Sequence, residues 1–260
     1  MTDLHAIIET SRWHRELGHE VRSLPHARLI ADASHLNVWD ANHADAVSAA
    51  TDREIEEVLD ALDLHLTHSD WRVVHTDPFT PEAFVARLAL DGFEEQPAII
   101  QMALRGPVRT SAYVETRPAA SDDDWTTVAN LVWQDHREGL RTGNAVMSRE
   151  VSEGVVAGYR AKAPACRFHL TIVEGVAVGY GSFAPGPRGA GIIEDLYPLP
   201  AYRGRGIASA MICTFSDQLY ADGCTIVFLG ARVETRARHL YANLGFRPVM
   251  LTRTWVKRVA

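Results

Sequence analysis

Arg203, Gly204, Arg205 and Gly206 stand directly before an apolar helical pattern that opens at Ile207 and Ala208. A helix N-terminus carries backbone N–H groups without intrahelical partners and about half a positive charge. Glycines there let the backbone approach a ligand with no Cβ in the way, and arginines add fork-shaped donors suited to phosphate oxygens. The combination points to a cradle for a phosphate, although R-G-x-G alone also fits a solvated surface turn. Two nucleotide loops are excluded. The chain lacks G-x-x-x-x-G-K-[ST], and Ser209 stands where a dinucleotide fingerprint needs its third glycine.

Just upstream, the run "IIEDLYP" places Glu194 and Asp195 inside an apolar strand pattern. A carboxylate in such a strand is costly unless it is paired or wet. Glu194 is therefore a candidate for proton transfer, with arginine pairing or turn capping as the alternative for either residue. Period-2 alternation places Glu194 with Leu196 and Pro198 on one face and Asp195 on the other. Twelve histidines raise the question of a metal, but no HExxH or tight carboxylate cluster accompanies His43, His65 or His68, so no metal site is expected. Ser182 in "GYGSF" fails the order of a nucleophile elbow.

The elements that position these residues occur twice. Laying Phe93 on Phe246, an offset of 153 residues, brings two helix–strand–helix–Gly-Phe passages into register. Ile55, Val58, Leu59, Leu62 and Leu66 fall on Ala208, Met211, Ile212, Phe215 and Leu219, each set the stripe of a one-sided buried helix. This is the mark of an internal duplication. The Gly106–Pro107 pair suggests a boundary, giving domains 1–109 and 110–260. At the helix start the first half has Thr51, Asp52 and Arg53 in place of Gly204, Arg205 and Gly206, and Leu88 in place of Tyr241. It keeps the fold pattern without the chemistry.

The 260-residue chain is 47% hydrophobic and 23% charged, an ordinary globular composition, with a formal net charge of -7. That balance argues against nucleic acid or anionic lipid as partner. Three unpaired-looking cysteines and the lack of a leader-like or membrane-spanning run imply a cytoplasmic protein with reduced thiols.

The strings "IIEDLYPLPAYRGRGIASAM" and "ARHLYANLGFRP" resemble motifs of the GNAT superfamily of acyl-CoA-dependent N-acyltransferases. The first half resembles the degenerate leading half of tandem GNAT proteins. The resemblance implies an α/β fold of two tandem mixed-sheet domains with flanking helices, the acyl-CoA site lying in the C-terminal half. It implies acetyl-CoA as co-substrate. Leu196, Tyr197 and Pro198 would meet its pantetheine arm between two splayed strands, the Leu196 N–H would polarise the thioester, and Arg203 to Ala208 would hold its diphosphate. Tyr241 would be the general acid and Glu194 the base. Three positions depart from the family pattern: Ala201 replaces a polar residue, Pro198 has no N–H to give the arm, and Glu234 stands where relatives often have an Asn that contacts the CoA arm. The expected activity is acetyl transfer to a small-molecule or protein amine by a monomer or homodimer. A silent acyl-CoA-binding module, or a partner-binding protein retaining only the fold, is the alternative. The loop at 138–150 and parts of the first half are expected to border the acceptor.

Overall fold

The computed structural model describes residues 3–35, 38–110, 112–138 and 147–259, and most of the 138–150 loop lies outside them. The first half runs α1 (Asp3–Glu16), β1 (Val21–Ser23), β2 (Arg28–Ala31), β3 (Asn42–Asp45), α2 (Asp52–His65), β4 (Trp71–Thr76), α3 (Glu82–Leu90), β5 (Glu94–Glu95) and β6 (Ile99–Leu104). The second runs β7 (Glu115–Pro118), α4 (Asp122–Glu138), α5 (Arg149–Lys162), β8 (Arg167–Val173), β9 (Val176–Pro185), β10 (Ala190–Pro198), α6 (Ile207–Ala221), β11 (Ile226–Arg232), α7 (Ala237–Leu244) and β12 (Arg247–Arg258). The fold class is the expected one: a mixed sheet with helices on both faces.

All the strands join one sheet in the order β1-β2-β3-β4-β12-β6-β11-β10-β9-β8-β7, with β5 paired to β12 off this path. One face of its second half is covered by α1, α4 and α5 over Phe168, Leu170, Tyr180 and Tyr197. The other is covered by α6 and α7 over Phe183, Ile193 and Leu229. In the first half α2 and α3 pack on Leu29, Val74 and Trp255. Most of the apolar stripes are buried: Ile55, Val58 and Leu62 in α2 with Leu66 at its C-cap, and Met211, Ile212, Phe215 and Leu219 in α6, while Leu59 and Ala208 are half-buried.

The repeat is visible in hydrogen bonds. The Phe93 N–H donates to the Leu88 carbonyl at 2.9 Å, and the Phe246 N–H to the Tyr241 carbonyl at 3.0 Å, so α3 and α7 close with the same reversed turn.

The strands also cross between the halves. β6 pairs with β11 from Ile99↔Arg232 to Leu104↔Val227, while the end of β12 pairs with β4 from Arg253↔Thr76 to Arg258↔Trp71. Each half thus completes its sheet with the last strand of the other. The exchange is reciprocal in register: Glu94↔Val256 and Glu95↔Trp255 become Arg247↔Ala103 and Pro248↔Met102 under the 153-residue offset, and Ile99↔Thr252 maps onto itself. A pseudo-twofold axis passes through that last pair. The expected boundary between 109 and 110 therefore falls in a connection, while the sheets are interleaved across it.

Candidate functional site

β10 and β11 run parallel only from Ala190↔Ile226 to Ile193↔Leu229. Beyond Ile193 they part, and a cavity of about 500 Å³ opens between them. Glu194, Asp195 and Leu196 form one wall, Gly230 to Arg232 face them, and Tyr241 from α7 closes one side. The parting has a local cause. Glu194 opposes Ser182 and Tyr197 opposes Tyr180, so two residues of β10, Asp195 and Leu196, share the single position opposite Gly181. Asp195 takes a positive φ of 56°. This is a β-bulge, which bends its strand.

The bulge corrects the expected alternation. Asp195 does not turn away from the site; it lines the cavity between Glu194 and Leu196. Its carboxylate accepts from the Tyr159 hydroxyl at 2.7 Å and the Ser182 hydroxyl at 3.2 Å. Nor do Glu194 and Leu196 share a sheet face: Glu194 is in register with Ser182, whereas Leu196 packs towards α6 with Met211 and Phe215. The signal was present in β9. A Cβ at Gly179 would lie 2.5 Å from the Tyr197 carbonyl oxygen, and one at Gly181 would strike Phe215 at 2.8 Å. Glycines inside a strand mark such a close approach.

Past the bulge, the Leu199 N–H donates to the Val178 carbonyl at 2.8 Å. Alternation along the strand then turns the backbone groups of Tyr197 towards β9 and those of Leu196 and Pro198 towards the gap. Leu196 presents an N–H there; Pro198 presents a nitrogen without hydrogen. Tyr197 is buried, packs on Tyr180 and donates its hydroxyl to Glu138, which with burial holds that phenol above its ordinary range. Its side chain and its backbone both point away from the gap, contrary to the expected contact with the arm.

From the gap the chain passes through a short 3₁₀ turn, Pro200–Tyr202, into the glycine turn and α6. Gly204 and Gly206 have φ of 73° and 79°, and added Cβ atoms there would meet nothing within 4 Å. Gly206 is the N-cap, no side chain caps the helix, and its first turn holds no acidic residue. The equivalent helix α2 begins with a reciprocal capping box, in which Thr51 Oγ1 accepts the Glu54 N–H and Glu54 accepts the Ala50 and Thr51 N–H groups at 2.9 and 3.0 Å. One half spends its helix N-terminus on its own carboxylate, and the other leaves it open.

The two arginines differ. Arg203 pairs with Glu138 at 2.7 Å, donates to the Pro198 carbonyl at 3.1 Å and lies over the Tyr197 ring. It braces the loop from within. Arg205 lies over the Tyr202 ring and makes no ion pair among the described residues.

The cavity continues to the first half. His75 of β4, Gln101 of β6 and Thr254 of β12 form its far wall, with His14 and Arg15 of α1 and Lys162 of α5 beside them. Burial pushes His14 well below its ordinary pKa and His75 to about 4, so both rings are neutral near pH 7. Gln101 Oε1 and His75 Nε2 are buried without hydrogen-bond partners among the described residues. None of these residues stood out in the sequence, because the strand crossing that gathers them leaves no local pattern. Among the described residues no group of His, Cys, Asp and Glu side chains is arranged to hold a metal, and no helix is long and apolar enough to cross a membrane.

Residues 125–246 match the acetyltransferase (GNAT) family model. That match lies within the second half and spans somewhat less than half of the chain. Among solved structures, a GCN5-related N-acetyltransferase from Kribbella flavida superposes with a TM-score of 0.69 at 14% identity, covering 99% of this chain and 96% of that one. A functionally unknown conserved protein from Staphylococcus epidermidis gives 0.69 at 11% identity, with 93% and 95% covered. A tandem GNAT protein from the clavulanic acid biosynthesis pathway gives 0.57 at 14% identity, with 84% and 75% covered. No curated protein matches the chain. The likenesses show that the fold of these structures extends along nearly the whole chain. The domain match ends at Phe246, so it contains the glycine turn, the bulge and Tyr241.

Proposed function

We propose that the protein is an acetyl-CoA-dependent N-acetyltransferase that acts by direct attack of an amine in a ternary complex. The observation that carries this reading is the gap beyond Ile193 and Leu229, leading past the bulge to the uncapped N-terminus of α6. Acyl-CoA has the matching shape: a narrow arm that bonds a strand edge and a diphosphate that suits a helix start.

Bound there, acetyl-CoA supplies an activated acetyl group. The α6 N–H groups and Arg205 hold the diphosphate, and Leu196 gives its N–H to the thioester oxygen. One such donor contributes about 3 kcal/mol to stabilising the oxyanion. The amine nitrogen bonds to the carbonyl carbon, and its proton passes to Glu194 directly or through water. The carbon–sulfur bond then breaks, and Tyr241 returns a proton to the leaving thiolate. Residues 110–260 carry this donor site, and the acceptor chamber is walled by α1, β4 and β6 of residues 1–109 together with α5 and the crossing strand β12.

The test is a calorimetric titration with acetyl-CoA, followed by thiol release over an amine panel. Saturable binding and release with at least one amine support the reading. Absence of heat with acetyl-CoA overturns it, and binding without any turnover reduces the protein to a silent acyl-CoA module.

A further inference from the structure

Lys162 ends α5 with its side chain in the cavity wall, and it also borders a smaller cavity lined by Tyr159, Gly158 and Val38. It is only 6% exposed. Among the described residues it makes no ion pair and no hydrogen bond through its side chain. The other cations of the chamber are engaged: Arg15 pairs with Asp45 at 3.2 Å, and Arg232 has a partner of its own. The carboxylates nearby are directed elsewhere. Asp195 accepts from Tyr159 and Ser182, and Asp40, largely exposed, faces His75 Nε2 at 3.9 Å. A helix C-terminus favours a cation, but this one supplies the lysine head with no acceptor.

A buried ammonium without a counter-charge is costly. The fold maintains Lys162 with no carboxylate in ion-pair contact among the described residues, in a chamber where the His14 and His75 rings are neutral. We infer that Lys162 anchors the carboxylate of the acceptor, which is therefore an amino acid or another small amine bearing a carboxyl group. Glu194 lines the β10 wall of the same cavity, where the amine must lie to meet the thioester. A cation and a carboxylate in one chamber suit the two charges of a zwitterion, and about 500 Å³ is room for one small molecule. A polyamine would find a cation where it needs an anion.

This inference rests on the acetyltransferase reading, so its experiment separates the two. Protein amino acids and a short series of ω-amino acids, each beside its carboxamide, are assayed for thiol release from acetyl-CoA and for calorimetric binding with CoA present. At least one acid should exceed its carboxamide in kcat/KM on the order of tenfold or more, since a buried donor left unpaired penalises the neutral analogue. Lys162→Met should erase that preference by raising KM while acetyl-CoA affinity stays unchanged, and Lys162→Arg should restore part of it. Should Met at this position perturb folding, Lys162→Gln gives the same comparison. The inference is overturned if acid and carboxamide are used equally, if Lys162→Met keeps the preference, or if only uncharged or cationic amines bind. Loss of acetyl-CoA binding in the parent protein overturns the functional reading instead, and acid binding to the protein alone then judges the anchor.

Discussion

Tyr241 is 8% exposed and lines the cavity at the start of the turn that closes α7. Tyr241→Phe keeps the ring and removes the proton, so kcat should fall by roughly 10²–10⁴-fold with acetyl-CoA affinity intact. Thiol-release kinetics beside calorimetry check this, and an unchanged kcat removes Tyr241 from proton transfer. Buried histidines predict an acid-sensitive fold. Burial depresses His75 and His169 from 6.5 to about 4, and His14 and His43 also lie well below the usual value. The unfolded chain takes up these protons from about pH 6.5 downward, and the folded chain takes up those of His75 and His169 only near 4, so the stability they contribute is full above 6.5 and declines between 6.5 and 4, with His14 and His43 acting in the same direction. His169 packs against Phe183 and Phe215 away from the cavity. Urea midpoints measured across that window should fall with pH, and His169→Gln should flatten the decline.

At the scale of elements, the contrast between α2 and α6 is open to test. Thr51→Ala removes half of a capping box and should cost about 1 kcal/mol of stability without altering acyl-CoA affinity. Gly206→Ala forces a Cβ into φ 79°, costing roughly 1–2 kcal/mol, and it crowds the anion site, so stability and acyl-CoA affinity should both drop. Denaturation and calorimetry on the two variants separate a structural cap from a binding one. These helices were legible in the sequence because a buried stripe and a cap are local, as at Ile55, Val58 and Leu62 or Met211 and Phe215. The strand that carries the chemistry was legible in its position and not in its facing. One residue at positive φ, Asp195, breaks the period-2 rule, and no glycine announces it on β10 itself. Lys162 reads in sequence as an ordinary base in a last helical turn; only tertiary packing buries it.

The whole molecule is held together by two exchanged strands. Removing residues 1–109 takes β6 from between β11 and β12, and removing 110–260 takes β12 from β4. Neither half alone should fold, and the full chain should unfold in one transition, its calorimetric and van't Hoff enthalpies agreeing. An isolated 110–260 fragment that binds acetyl-CoA would refute this. The crossing was hidden in the sequence because β6 and β12 look like any apolar strands, and their partners lie more than a hundred residues away. It also divides the labour of adaptation. On the proposed reading the grip on the donor belongs to one copy of the repeat, whereas the chamber for the incoming guest is shared, with α1, β4 and β6 of the first half facing β10 and α5 of the second. Substitutions in α1, β4 and β6 could then retune the guest list while the diphosphate handle stays untouched.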